Sequence, residues 1–344
     1  MLLDDPSPLV RQAMAETFAR SSEAPAAIVQ ALSLDQPSVA LPVLEHSPLL
    51  IDADLVDIVA TGNCETQCAI ARRIRLPASV CAAIAEVGSA AAALELIENA
   101  YAELPLFSWD RIVERHGHLA AIRESMLVLE DLPAATRAAL VAKLSETLAQ
   151  FVVARNWLSA DRAGRITSEA RDRSTLNIAA HSRGDDMCGL VAHLRATSQL
   201  TAGLILRALL SGNLGLFDAA LAELADLPQA RVTALLHDRG AVGLLALLKR
   251  AGLPESTFAA FRVALEALHE TGFVDDAGSA TRLRRRMVER VLTHCETDRG
   301  ATEPLLILLR RFATESAREE ARQFCEELIV EDAMTPLLHD LIAA

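Results

Sequence analysis

Prolines recur at nearly constant intervals in the first half of the chain, and this spacing constrains the fold more than any other feature. They are Pro48, Pro77, Pro105 and Pro133, at intervals of 29, 28 and 28 residues, with Gly62, Gly88 and Gly117 between them. Proline is tolerated in the first turn of a helix, and glycine often follows a helix end in the left-handed conformation. The pattern therefore predicts a stack of helical hairpins of about 28 residues each.

Apolar residues inside these intervals recur at helical spacing. A hairpin this small cannot bury its own apolar face, so we expect neighbouring hairpins to cover it. The side chains predicted to face inward are Leu55, Ile58, Val59, Ile70, Ile74, Val80, Ile84, Val87, Leu94, Ile97, Tyr101, Trp109, Ile112, Val113, Leu119, Ile122 and Met126.

The predicted fold class is all-α. Hydrophobic residues make up 51% of the chain but aromatic residues only 3%, and no segment alternates cleanly over the length of a strand. A Leu-Pro pair returns at Pro228 and Pro254, with Gly240 between them, so the second half is predicted to contain the same hairpin. The predicted divisions are an N-terminal helical cap (1–45), a repeat domain (46–160), an exposed helix or linker (161–186), a second repeat region (187–272) and C-terminal helices (273–344).

Charge and hydropathy narrow the choice of partner and location. The formal net charge of −13 disfavours nucleic acid and anionic membranes as bulk partners. No apolar stretch reaches the roughly 18 residues that span a bilayer. The acidic N-terminus does not resemble a signal peptide, and six scattered cysteines suggest reduced thiols, so a cytoplasmic location is predicted.

Two segments resemble a known family. Residues 47–88 contain SPLLIDADLVDIV, AIARRIRLPASV and IAEVG, and residues 204–254 contain LILRALLSGNLGLFDAALAELADLP and AGLP. They are similar to a domain-of-unknown-function family of alphaproteobacterial HEAT-like helical repeat proteins, over about residues 40–270. The resemblance implies a HEAT-like α-solenoid with extra helices at both ends, and it brings no catalytic residues.

Arginines are the candidate partner-binding residues. Arg72 and Arg73 close a predicted inner helix, with Arg75 just beyond it, and Arg207 interrupts an apolar helix. The structural interpretation of the first group is a favourable cation position at a helix C-terminus, and that of Arg207 is a pair with Asp218 or Glu223. The functional interpretation is bidentate recognition of carboxylate or phosphate groups. Under it, Glu substitutions at Arg72 and Arg73 weaken partner capture with little change in stability.

A second arginine cluster lies between residues 282 and 290, and its candidate binding residues are Arg282, Arg285 and Arg286. It either pairs with neighbouring acidic residues, including those of the N-terminal part, or docks an acidic protein segment.

Metal and catalytic patterns are weak. Asp52, Asp54 and Asp57 are explained by helix capping and the helix dipole. Cys64 and Cys68 share a helix face, and His116 and His118 flank a glycine, but neither pair has the spacing of a zinc motif. No metal, cofactor or catalytic residue is predicted.

The predicted function is a non-enzymatic scaffold or adaptor, with a regulatory role left open, that binds a protein partner of acidic character on the solenoid surface. The alternative is a HEAT-like enzyme or small-ligand binder, although the acidic charge disfavours a DNA glycosylase. A homodimer is also left open, because the chain is apolar on average, with a mean hydropathy of +0.25.

Overall fold

A computed structural model describes residues 3, 5–237, 241–271, 277–298 and 300–342. These residues form nineteen α-helices, one short 3₁₀ helix and no strand. The chain divides into two compact units, Met1–Arg171 (unit 1) and Asp172–Ala344 (unit 2), and the division falls within one helix. The prediction of an all-α fold is confirmed.

Unit 1 contains ten helices and the first half of an eleventh. They are α1 (Pro8–Phe18), α2 (Ala26–Ser33), α3 (Pro37–His46), α4 (Asp52–Thr61), α5 (Cys64–Ala71), α6 (Ala78–Val87), α7 (Ala90–Glu98), α8 (Leu106–His116), α9 (Ala120–Val128), α10 (Ala134–Ala154) and α11 (Ala160–His181). Proline precedes α6, α8 and α10 directly and serves as the N-cap residue of each. The proline spacing therefore marks the beginning of every second helix.

The helices of unit 1 pack in two rows. In one row α1 packs on α3, α3 on α5, α5 on α7 and α7 on α9. In the other, α4 packs on α6, α6 on α8 and α8 on α10. Each helix thus contacts the equivalent helix of the next hairpin, and the apolar core of unit 1 runs between the rows.

The glycines between the helices have a different role from the one predicted. Gly62, Gly88 and Gly117 have φ angles of −79°, −63° and −61°, so none is left-handed. A Cβ atom at each would lie closer than 3.0 Å to the carbonyl oxygen four residues earlier. Glycine is therefore required by close packing against the end of the preceding helix.

Most of the predicted inward-facing residues of unit 1 are buried or packed against the core, but three predictions are wrong. Ile74 is 71% exposed and Tyr101 is 65% exposed, because α5 ends at Ala71 and α7 ends at Glu98. Val87 is also exposed, at the C-terminal residue of its helix. Helical periodicity alone does not show where a helix ends, so it misplaces residues at or beyond the last turn.

Unit 2 contains the rest of α11 and eight further helices. They are α12 (Gly184–Ala196), α13 (Ala202–Leu210), α14 (Leu214–Ala225), α15 (Gln229–His237), α16 (Ala241–Arg250), α17 (Phe258–Thr271), α18 (Ala277–Thr297) and α19 (Glu303–Ile342). Gly240, predicted to lie inside a hairpin, is outside the described residues.

The centre of unit 2 is formed by α13 and α14, which pack on each other. Helix α14 also packs on α12, α15 and α16, whereas α13 packs on α17 and α18, and α18 packs on α19. Phe217 on α14 and Phe261 on α17 stack with ring centroids 6.1 Å apart. Arg207, on α13, is buried in this arrangement.

Two further predictions concern division and membranes. The boundary between the units, at residues 171 and 172, lies inside the stretch 161–186 that was read as an exposed helix or linker. The finer five-part division remains a prediction. Within the described residues, no helix combines the length and the apolar character needed to cross a membrane.

Candidate functional site

Arg73 ties one hairpin of unit 1 to the preceding one. Its guanidinium donates hydrogen bonds to the carbonyl oxygens of Leu44, at 2.5 Å, and Ser47, at 2.6 Å, at the C-terminal end of α3. Burial lowers the pKa of this arginine. Arg115, on α8 in the other row, makes the same kind of contact with the carbonyl oxygens of Ala85 and Gly88 at the C-terminal end of α6. The repeated geometry gives Arg73 a structural role.

Arg72 differs from its neighbour because it points to the surface. Its guanidinium lies 2.6 Å from the Glu95 carboxylate, and its side chain is 46% exposed. This pair, between α5 and α7, raises the pKa of Arg72 through the hydrogen bond with Glu95. Such exposed pairs contribute little to stability.

Replacing Arg73 with methionine is expected to lower the free energy of unfolding of unit 1 by about 2 kcal/mol, because two carbonyl groups at a helix end lose a charged donor. This contradicts the prediction that changes at both arginines leave stability nearly unchanged. The matched control is Arg72→Met, for which we expect a loss of less than about 1 kcal/mol. Urea unfolding followed by tryptophan fluorescence measures both, and equal losses would contradict the structural role of Arg73.

Arg75 lies in the loop after α5 and is both exposed and strained. Its φ angle is +59°, in the left-handed region that is costly for a residue with a large side chain. No ion pair of Arg75 is found among the described residues. Of the candidates Arg72, Arg73 and Arg75, it is therefore the one whose side chain is available to a partner.

The loop that holds Arg75 runs beside the corresponding loop of the next hairpin. The Glu103 amide donates to the Leu76 carbonyl oxygen at 3.0 Å, and Leu76 and Ala102 form a parallel bridge. Arg75 directly precedes Leu76 and Tyr101 directly precedes Ala102, so Arg75 and Tyr101 occupy corresponding positions in the two loops. The loops are further joined by Asn99, whose side-chain amide donates to two carbonyl groups of the earlier loop and helix end.

Large side chains are exposed along these loops. We define the loop edge of unit 1 as Ile51, Ile74, Arg75, Tyr101, Leu106 and Phe107. Its five apolar or aromatic members are all more than 60% exposed. They lie in, or directly after, loops that join successive hairpins, so they occupy one edge of the stack. The sequence analysis missed this edge, since Ile74 and Tyr101 were assigned to the core.

The arginine cluster on α18 is largely paired within unit 2. Arg285 lies 2.7 Å from Glu289 and 2.6 Å from Glu320, and these hydrogen bonds raise its pKa. Arg290 pairs with Glu270. The acidic partners thus come from α17, α18 and α19 and not from the N-terminal part. Arg286 is exposed, and the side chain of Arg282 lies outside the described residues.

Arg207 pairs with a partner that the sequence did not suggest. Its guanidinium lies 2.6 Å from the Glu315 carboxylate on α19, so the prediction of a pair with Asp218 or Glu223 is wrong. Asp218 instead accepts a hydrogen bond from Thr233, and Glu223 pairs with Arg195. Helix α19 reaches α13 through tertiary packing, which sequence separation does not reveal.

Glu315 is held by two arginines. The Arg173 guanidinium lies 2.5 Å from one carboxylate oxygen, and that of Arg207 contacts the other. Burial disfavours the charged form, but the hydrogen bonds and charges of the two arginines outweigh it, so the pKa of Glu315 is below its usual value. Arg207 also lies over the Phe312 ring, 4.2 Å from its centroid. Glu315 is therefore ionised and neutralised near pH 7.

A cavity of about 870 Å³ opens beside this network, and all its lining residues belong to unit 2. Its charged lining residues are Arg173, Arg183, Arg207, Arg284, Arg318, Arg322, Glu315 and Glu319. The sequence analysis identified only Arg207 among them, because the others come from distant segments.

The candidate metal and thiol residues form no catalytic arrangement. No group of three or more His, Cys, Asp or Glu side chains able to hold a metal is found within the described residues. Burial and the neighbouring Cys64 raise the pKa of Cys68 to about 11, so its thiol is protonated near neutral pH. His116 packs near the Gly88 carbonyl oxygen, and burial lowers its pKa.

Comparison with protein families assigns most of the chain to one family. Residues 39–299 match the model of the family described as "Uncharacterised protein conserved in bacteria (DUF2336)". The chain belongs to DUF2336. The match begins inside α3 and ends just after α18, so both the loop edge and most of the cavity lining of this DUF2336 member lie within it. No curated protein and no solved structure matches the chain.

Proposed function

We propose that this DUF2336 protein is a non-enzymatic interaction protein that binds a protein partner through the loop edge of unit 1. In this proposal the two helix rows form a HEAT-like α-solenoid with hairpins of about 28 residues. Stacked hairpins commonly bind proteins along an extended surface. The observation that carries the proposal is the row of exposed side chains on the loop edge.

Exposed apolar side chains favour a binding role when they lie together. Single exposed hydrophobic residues are common on any protein, whereas contiguous apolar patches mark interaction sites. Ile74 and Tyr101 lie on loops that are hydrogen-bonded side by side, and Leu106 and Phe107 begin the helix that follows. Tyrosine and phenylalanine are also enriched at protein interfaces.

Arg75 gives the partner a chemical character. Glycine or asparagine would occupy its left-handed backbone position at lower cost, so the presence of an exposed arginine there favours a role for the side chain. A partner segment that places an acidic residue against Arg75 and apolar residues against Ile74 and Tyr101 would complement this surface. This matches the acidic partner predicted from the sequence.

The test is an Arg75→Gly variant of the tagged full chain, used to capture proteins from the cytosol of the native organism. We expect a partner retained by the wild type to be lost or strongly reduced with the variant. Because glycine relieves the strain of the left-handed backbone conformation, the free energy of unfolding should stay the same or rise by up to about 1 kcal/mol. Mass spectrometry reads the capture, and a melting curve by circular dichroism reads the stability.

The control is Asn156→Gly, which changes another residue of positive φ in unit 1 that lies outside the loop edge. It should leave capture unchanged, whereas Tyr101→Ser should reduce it. A partner held equally by wild type, Arg75→Gly and Tyr101→Ser would contradict the proposal. Recovery of the bait alone would instead favour self-association.

A further inference from the structure

We propose that the cavity of unit 2 binds a small polyanion, a molecule that carries at least two phosphate or carboxylate charges on a short scaffold. The cavity lies in a different unit from the loop edge, so this inference does not depend on the proposed protein partner. The charge of the cavity, its unpaired polar groups and its size each support this proposal.

The cavity is positively charged in an acidic protein. Six arginines and two glutamates line it, whereas the whole chain has a formal net charge of −13. Glu315 is already neutralised by Arg173 and Arg207, so it cannot balance the arginines at the opening. A concave site of one charge sign raises the local concentration of ligands of the opposite sign.

Two arginines of the opening lie one turn apart on α19. Arg318 and Arg322 are both exposed, and neither makes an ion pair within the part of the chain that the structure describes. Like charges at positions i and i+4 of a helix repel each other and weaken the helix. A bound anion would remove this repulsion, and the two guanidinium groups suit bidentate contacts with phosphate or carboxylate oxygens.

Arg207 and several apolar side chains line the buried part of the cavity. Arg207 is only 4% exposed, and its Nε atom has no hydrogen-bond partner among the described atoms. Buried polar groups are nearly always hydrogen-bonded, so this unsatisfied donor, on a residue that lines the cavity, is an exception that a bound anion would explain. Phe312, Leu210 and Val288 also line the cavity, which lowers the local dielectric and strengthens interactions with an anion.

The size of the cavity indicates a small molecule. Its volume of about 870 Å³ lies within the range of roughly 300–1,000 Å³ found for small-molecule sites. Inorganic pyrophosphate, ADP and citrate all fit the proposed charge and fall within this volume. Pyrophosphate and ADP represent phosphate ligands, and citrate represents carboxylate ligands.

The experiment is isothermal titration calorimetry of the full chain with pyrophosphate, ADP and citrate as separate probes. We expect one molecule of at least one probe to bind per chain, with affinity falling as salt is added. In the double variant Arg318→Gln/Arg322→Gln, the dissociation constant should rise by about tenfold or more. Both residues are exposed, so the melting temperature should change little.

The matched control is Arg231→Gln/Lys249→Gln, which removes the same charge from exposed residues of unit 2 outside the cavity. Its dissociation constant should stay within about twofold of the wild type, because screened surface charges at a distance contribute little. Tighter binding of pyrophosphate or ADP would identify the ligand as a phosphate compound, and tighter binding of citrate would identify it as a carboxylate. Either result supports the site. The inference would be overturned if none of the three probes saturates the protein, or if the two double variants lose the same amount of affinity. It would also be overturned if only a polyglutamate peptide binds.

Discussion

Replacing Glu315 with alanine is expected to lower the free energy of unfolding of unit 2 by about 3 kcal/mol. The substitution leaves Arg207 buried at 4% exposure with no carboxylate partner, and an unpaired buried charge costs about 3–5 kcal/mol. We expect the lower end of that range because the Glu315 side chain itself is 22% exposed. Arg173, whose side chain is 55% exposed, can reach water when its partner is lost.

Spectroscopy can assign this loss to unit 2. Both tryptophans, Trp109 and Trp157, belong to unit 1, so tryptophan fluorescence follows unit 1 while circular dichroism follows both units. In urea, Glu315→Ala should shift a transition seen by circular dichroism and leave the fluorescence transition in place. Arg207→Met in the same chain should recover much of the lost stability, because no unpaired buried charge then remains. If Glu315→Ala alone is as stable as the wild type, the ion pair between Arg207 and Glu315 does not hold α19 on α13.

Replacing Ile84 with alanine is expected to destabilise unit 1 by about 2–5 kcal/mol. Ile84 is fully buried on α6, which packs between α4 and α8, so the substitution leaves a cavity between successive hairpins. Trp109 lies on α8 and packs against the same core, so its fluorescence reports the transition directly.

The matched control for Ile84 is Val87→Ala on the same helix. Val87 is 47% exposed, so we expect a change within about 0.5 kcal/mol. A nearly silent Ile84→Ala, or an equal effect of the two substitutions, would contradict the packing of the two helix rows.

Local signals predicted several helix starts of unit 1. Pro77, Pro105 and Pro133 each mark a helix start, because the restriction on proline acts within one turn of the chain. Ile84 and Ile112 were placed correctly because they lie well inside their helices. The misplaced residues lie at or beyond helix ends, where periodicity alone does not show that the helix has stopped.

The roles of the arginines could not be predicted in the same way. Arg72 and Arg73 are adjacent, yet one lies on the surface and the other binds backbone carbonyl groups of the preceding hairpin. The partner of Arg207 was sought on the next helix, whereas Glu315 follows it by 108 residues. Which side chains share a cavity depends on the packing of distant helices, and the pattern of one segment does not contain that information.

The distance along the chain between Arg207 and Glu315 has a consequence for protein synthesis. Helix contacts in unit 1 join neighbouring hairpins, so each can form soon after its residues leave the ribosome. Arg207, in contrast, precedes its partner by 108 residues, which corresponds to roughly 5–20 s at typical elongation rates. During that interval α13 cannot pair Arg207 with Glu315, because α19 has not yet been made. The core of unit 2 is therefore completed only near the end of synthesis, whereas the hairpins of unit 1 can pack as they emerge.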